Sequence, residues 1–133
     1  MKSFAESHNS IDLGHSLIKM RDDGIVEVRF GDNTELDIKE AQELVAATGE
    51  LTNGSKALII NIAGKATVAS SAARDYAASK EASAYTLAEA YVVNNLAQKI
   101  LGNFYVNFHK PLVPTKIFTN TEEAVSWLKS LGL

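Results

Sequence analysis

Ala57-Leu58-Ile59-Ile60-Asn61-Ile62 is almost continuously apolar yet only six residues long. That is the pattern of a strand buried on both faces, which needs helices above and below its sheet. Upstream, Asp37 opens a helix with Glu40 three residues on, a capping box. Ile38, Ala41, Leu44, Val45, Thr48 and Leu51 then share one helical face until Asn53-Gly54 ends it. Earlier still, Leu17–Met20 and Ile25–Phe30 flank Asp22-Asp23-Gly24, a hairpin in which Val26, Val28 and Phe30 alternate with Glu27 and Arg29.

Downstream the same alternation of strand and helix continues. A second helix is expected from about Ser71 to Ala84, within a stretch (63–90) holding 11 alanines in 28 positions, where a neighbouring backbone can come close. Leu87–Val93 reads as a strand. Asn95 with Gln98 opens a third helix running to about Phe108, and Pro111 and Pro114 forbid its continuation. Thr115–Thr119 is a last strand. Asn120 caps a final helix with Glu123 at its third position, and Ala124, Trp127, Leu128 and Leu131 form its buried stripe. The element order is β-β-α-β-α-β-α-β-α, an α/β domain with a mixed sheet whose later strands are parallel. Residues 1–10 are polar and aperiodic and are expected to form a flexible arm ahead of a single domain, 11–133.

Composition excludes several classes. The chain has 133 residues, a net charge of −3 and 46% apolar content, enough for one core. With no basic run it is expected to bind no nucleic acid. No apolar run approaches the ~20 residues of a membrane span. The first eight residues carry no apolar signal-peptide core, so a cytoplasmic location is expected. Cysteine is absent, which removes disulfides, zinc-thiolate sites and a thiol nucleophile.

Motifs offer little chemistry. Gly49–Lys56 has the glycine spacing of a phosphate loop, but Ser55-Lys56 is in reversed order and the segment runs from helix into strand. Gly64-Lys65 lacks the upstream glycine. His8, His15 and His109 share no ligand spacing and read as surface histidines, so no metal is expected. Glu122-Glu123 lies in a first helical turn, where it favours the dipole. No nucleophile, base and acid form a set, so no enzyme and no cofactor are expected.

Two features admit a sharper reading. Ser70-Ser71 opens the second helix, where a serine oxygen caps free amides; a phosphoserine there would instead bring negative charge to the positive dipole end, and Arg74, one turn on, could pair with that phosphate or equally with Asp75 or Glu81, or face solvent. In the third helix, Leu96, Ile100, Leu101, Phe104 and Phe108 form a stripe expected to face the sheet, widened by Tyr105 and Val106. The surplus apolar surface suits a hydrophobic groove or a homodimer patch.

The stretches Val92–Leu96, Gly102–Tyr105, His109-Lys110-Pro111, Pro114–Thr119 and Glu122–Leu128 resemble an uncharacterised bacterial family with the STAS, or SpoIIAA-like, fold of anti-sigma-factor antagonists, over roughly residues 16–131. Those antagonists carry a phosphorylated serine in an Asp-Ser-Ser-Gly motif. The matching positions here are Ala69-Ser70-Ser71-Ala72, which places Ser70 on the phosphoacceptor, and Asn61 stands where an aspartate is frequent. Some relatives of the fold are likened to lipid-carrying SEC14 domains. The resemblance therefore implies a non-enzymatic regulatory or protein-interaction module with an unidentified protein partner, switched at Ser70 with Ser71 and Arg74 in support. The alternative is a carrier or sensor of a small hydrophobic ligand held between the alanine-rich helix and Ile100, Phe104, Tyr105 and Phe108.

Overall fold

The computed structural model describes the backbone of Ser3–Phe4 and residues 9–133. Seven strands form one sheet in the order β1 (Ser3–Phe4), β2 (Ser10–Asp12), β3 (Ser16–Met20), β4 (Val26–Phe30), β6 (Ala57–Ile62), β8 (Thr86–Val92) and β9 (Thr115–Phe118). Neighbours from β1 to β4 are antiparallel, and those from β4 to β9 are parallel. Two further short strands, β5 (Glu35–Leu36) and β7 (Val68–Ala69), pair with each other in parallel. The helices are α1 (Ile38–Leu51), α2 (Ser71–Ala77), α3 (Leu96–Phe104) and α4 (Thr121–Ser130). Setting aside β1, β2, β5 and β7, this is the order expected from the sequence. The expected arm lies mostly outside the described residues; Ser3–Phe4 and Ser10 stand in strands.

Each parallel strand is covered on both sides, as the composition of β6 requires. On one face α4 buries Ala124 and Leu128 against Ile25, Ile60, Ala88, Ala90 and Val92. The alanines of β8 are fully buried there and let the helix sit close. On the other face Ala47 of α1 packs over Ile11, Ile18, Val26, Val28 and Ile59. The register sets two rows of side chains across that second face: Val26, Ile59, Glu89 and Thr115, then Val28, Asn61, Tyr91 and Ile117. Residues paired across neighbouring strands point the same way, so α1, α2 and α3 close over these rows.

Two helices depart from expectation. The second is α-helical only to Ala77, not Ala84. Beyond it the Ser79 hydroxyl accepts from the Ala82 amide and the Ser83 hydroxyl donates to the Ser79 carbonyl. Such local bonds offer the backbone an alternative to the helical ladder. The third helix ends at Phe104 and passes into a π-helical turn, Tyr105–His109, terminated by Lys110 at φ +52°.

Candidate functional site

Between the sheet and the layer of α1, α2 and α3 lies a pocket of about 230 Å³. Its floor is the two rows described above, from Val28 and Phe30 on β4 across Ile59, Asn61, Glu89 and Tyr91 to Ile117. Ala41, Leu44, Val45 and Thr48 of α1 form one wall, which is the helical face marked out in the sequence. Ala73, Arg74, Tyr76 and Ala77 of α2 form a second, and Gln98, Leu101, Gly102 and Tyr105 a third. The alanines of α2 and Ala82 put short side chains where larger ones would fill the space. Gly102 brings α3 down onto β9, since a β-carbon there would stand 2.9 Å from Ile117 Cδ1.

The pocket is largely apolar, with one polar cluster on its floor. Asn61 Nδ2 donates to Glu89 Oε1 at 3.2 Å, the one hydrogen bond the Glu89 carboxyl makes among the described residues. The surface Glu89 keeps is pocket wall, and the carboxyl is deep in the fold. Burial pushes its pKa up to about 7, against the opposing pull of the Asn61 bond. Tyr91 and Tyr105 meet edge to face, with ring centroids 5.9 Å apart. Burial raises both phenols well above their ordinary value, and the nearby Glu89 carboxylate adds to it. All four tyrosines of the chain, Tyr76, Tyr85, Tyr91 and Tyr105, line the pocket.

The Ser70 region is built differently. The β5–β7 pairing sets the N-termini of α1 and α2 side by side. Ser70 Oγ accepts from the Ala73 amide at 3.0 Å and donates to Asp37 Oδ1 at 2.8 Å. Asp37 is the N-cap of α1, so one hydroxyl links both caps, and the bond from Ser70 holds the Asp37 carboxyl below its ordinary pKa. Ser71 is exposed. Arg74 makes no hydrogen bond to the Ser70 side chain: its Nη1 donates to the carbonyl of Ala69, the residue before Ser70, at 2.6 Å, and its Nε is buried in the pocket wall without a hydrogen-bond partner among the described residues.

Of the stripe expected on α3 to face the sheet, Leu101 turns inward, while Leu96, Ile100, Phe104 and Phe108 turn outward. Leu96, Ile100 and Phe108 are 71%, 59% and 73% exposed, whereas Tyr105 is 5% exposed. The inward face is instead Gln98, Leu101, Gly102 and Tyr105, because the helix docks through its glycine and spans the pocket rather than a packed core. Of the four residues expected to hold a ligand, Tyr105 alone lines the pocket. Phe104 and Phe108 stack on each other, 4.5 Å apart, on the outer surface. His15 and His109 are partly buried rather than exposed. His15 bonds Ser16 and Glu43, and His109 Nε2 pairs with Asp75 Oδ1 at 3.1 Å, tying the π-helical turn to α2. His8 lies outside the described residues.

Glu89 and Tyr91 supply the ionisable groups of the floor, although in the sequence they stand out only as residues of a strand. The available signal was an ionisable residue at the centre of Leu87-Ala88-Glu89-Ala90-Tyr91, a segment otherwise fit to be buried. Among the described residues no three His, Asp or Glu side chains converge as metal ligands, and no helix is long and apolar enough to cross a membrane.

Comparison with known proteins agrees with the architecture. An uncharacterised protein of the DUF3478 family from Shewanella loihica PV-4, solved by crystallography and described as having a SpoIIAA-like fold, superposes with a TM-score of 0.59. The match is 13% identical and covers 85% of this chain and 91% of that one. At that identity the likeness is one of fold. No curated protein matches. The family model described as domain of unknown function DUF7793 matches residues 18–132, and the chain therefore belongs to that family, with a mixed α/β architecture of the SpoIIAA-like type.

Proposed function

We propose that this domain is a non-catalytic binding module that takes a small, mainly apolar molecule into the pocket beneath α1, α2 and α3. The observation that carries the reading is the pocket itself, about 230 Å³ lined chiefly by apolar side chains around one polar cluster. Concave apolar sites with a few convergent polar groups are the usual form of small-molecule sites. A domain of this size gains nothing in stability from leaving Val28, Leu44, Val45, Ile59 and Ile117 around unfilled space, because the missing contacts cost dispersion energy.

Native mass spectrometry of the protein purified from its own cells tests this. A non-covalent organic adduct that disappears on denaturation, and that is lost in a Val45→Phe variant filling the α1 wall, supports the reading. A bare mass, together with tyrosine ring signals that no small apolar compound shifts, would remove it.

A second reading, a protein-interaction module, draws on the exposed α3 surface formed by Leu96, Ile100, Phe104 and Phe108. Regulation through Ser70 would work on the two helix caps. A phosphate there would replace a hydroxyl donor 2.8 Å from the Asp37 carboxylate with a second anion, and like-charge repulsion would part the N-termini of α1 and α2. Because both helices wall the pocket, such a modification would loosen it.

A further inference from the structure

We infer that the molecule taken into the pocket is a small organic carboxylate: an apolar body with an anionic head held by Arg74 and Tyr105. This deepens the binding reading above and rests on it.

Three features of the wall ask for a hydrogen-bond acceptor with negative charge. The first is Arg74. Its guanidinium is permanently charged, it is partly buried on α2, and among the described residues it makes no ion pair; the guanidinium's one hydrogen bond there goes to the neutral Ala69 carbonyl. Its Nε–H is buried with no acceptor. The second is Tyr105, a buried residue that has the Tyr91 hydroxyl beside it as a donor, so that its own O–H is left without an acceptor. Leaving such donors unsatisfied is costly, and a charged one most of all. Both residues line the same pocket, so a single occupant is the shared source of acceptors.

The third feature is Glu89. It is the one carboxylate on the pocket wall. The groups facing it are Asn61 from β6, Tyr91 from β8 itself and Tyr105 from the π-helical turn, none of them a cation; Arg74 and Tyr76 line the pocket from α2, Tyr85 lines it ahead of β8, and the α1 wall has no titratable group. Burial favours the protonated acid there, and an acid is a donor rather than a competing anion. With Glu89 protonated, the pocket holds one uncompensated positive charge. An amine would meet Arg74 as a like charge, and a neutral alcohol would leave the guanidinium unpaired. The apolar walls, in turn, suit a hydrocarbon or aromatic body rather than a sugar or a phosphate ester.

The test is isothermal titration of the whole chain with three probes sharing one body: 3-phenylpropionate, 3-phenylpropan-1-ol and 3-phenylpropylamine. The acid is expected to bind at least about tenfold more tightly than the alcohol at mildly acid pH, as befits a charge-assisted pair. Its affinity should fall several-fold as pH rises through about 7, where Glu89 becomes an anion, while that of the alcohol stays level. Arg74→Gln should bring the acid down to the alcohol. Should Arg74→Gln fail to fold, Tyr105→Phe, which removes only the hydroxyl, should still weaken the acid selectively. Equal or tighter binding of the alcohol or the amine would overturn the carboxylate assignment and leave the pocket reading standing. Binding by none of the three would overturn both.

Discussion

Replacing Glu89 by Gln keeps the size of the side chain and its bond to Asn61 but removes its proton equilibrium. In the folded protein the carboxyl titrates at about 7 instead of 4.5 because burial disfavours the anion. The sign follows from proton linkage. Between those two values the folded state holds a proton that the unfolded chain has released, so stability is full below about 4.5 and declines as pH rises to about 7. At ~1.4 kcal/mol for each pH unit, the interval corresponds to about 3 kcal/mol of stability withdrawn by ionisation. Urea unfolding followed by circular dichroism, in steps between about pH 4.5 and 8, gives the free energy of each protein. The wild type minus Glu89→Gln difference should fall by about 3 kcal/mol across that range and flatten above it, with unchanged m-values. Parallel curves would refute the reasoning, for they would mean that Glu89 ionises as readily in the fold as in the unfolded chain.

Further expectations concern other elements of the fold. Gly64→Ala would place a β-carbon 2.6 Å from the Phe30 carbonyl oxygen, a backbone atom that cannot swing aside; a loss of about 1–3 kcal/mol in urea unfolding is expected. Ser70→Ala removes the shared cap and should cost about 1 kcal/mol, whereas Ser71→Ala, at an exposed position, should stay within ~0.5 kcal/mol by thermal or chemical melting. Leu128→Ala on α4 should cost about 2–5 kcal/mol, because that side chain is fully buried. Phe108→Ser, on the outer face of α3, should change stability by less than ~0.5 kcal/mol and, if that face binds a partner, abolish its capture in a pull-down.

The order of strands and helices is legible from residue pattern alone, because that information is local. A six-residue apolar run, a period of two in Val26-Glu27-Val28-Arg29-Phe30 and caps at Asp37, Asn95 and Asn120 each depend on neighbours within a turn or two. The face of α1 built from Ala41, Leu44, Val45 and Thr48 was legible for the same reason. What each face meets, by contrast, depends on packing across the whole fold. Periodicity marks the stripe Leu96, Ile100, Phe104 and Phe108 as one side of a helix, but it cannot say which side turns inward. That outcome was set by Gly102 docking on Ile117 and by the π-helical turn that sets His109 against Asp75. The polar floor was hidden for a related reason. Asn61 and Glu89 lie 28 residues apart in the chain and become partners only through the parallel register of β6 and β8, and Arg74, one helical turn from Ser70, joins the pocket wall with its guanidinium on the Ala69 carbonyl. Contacts of that kind come from register and packing, which no local pattern encodes.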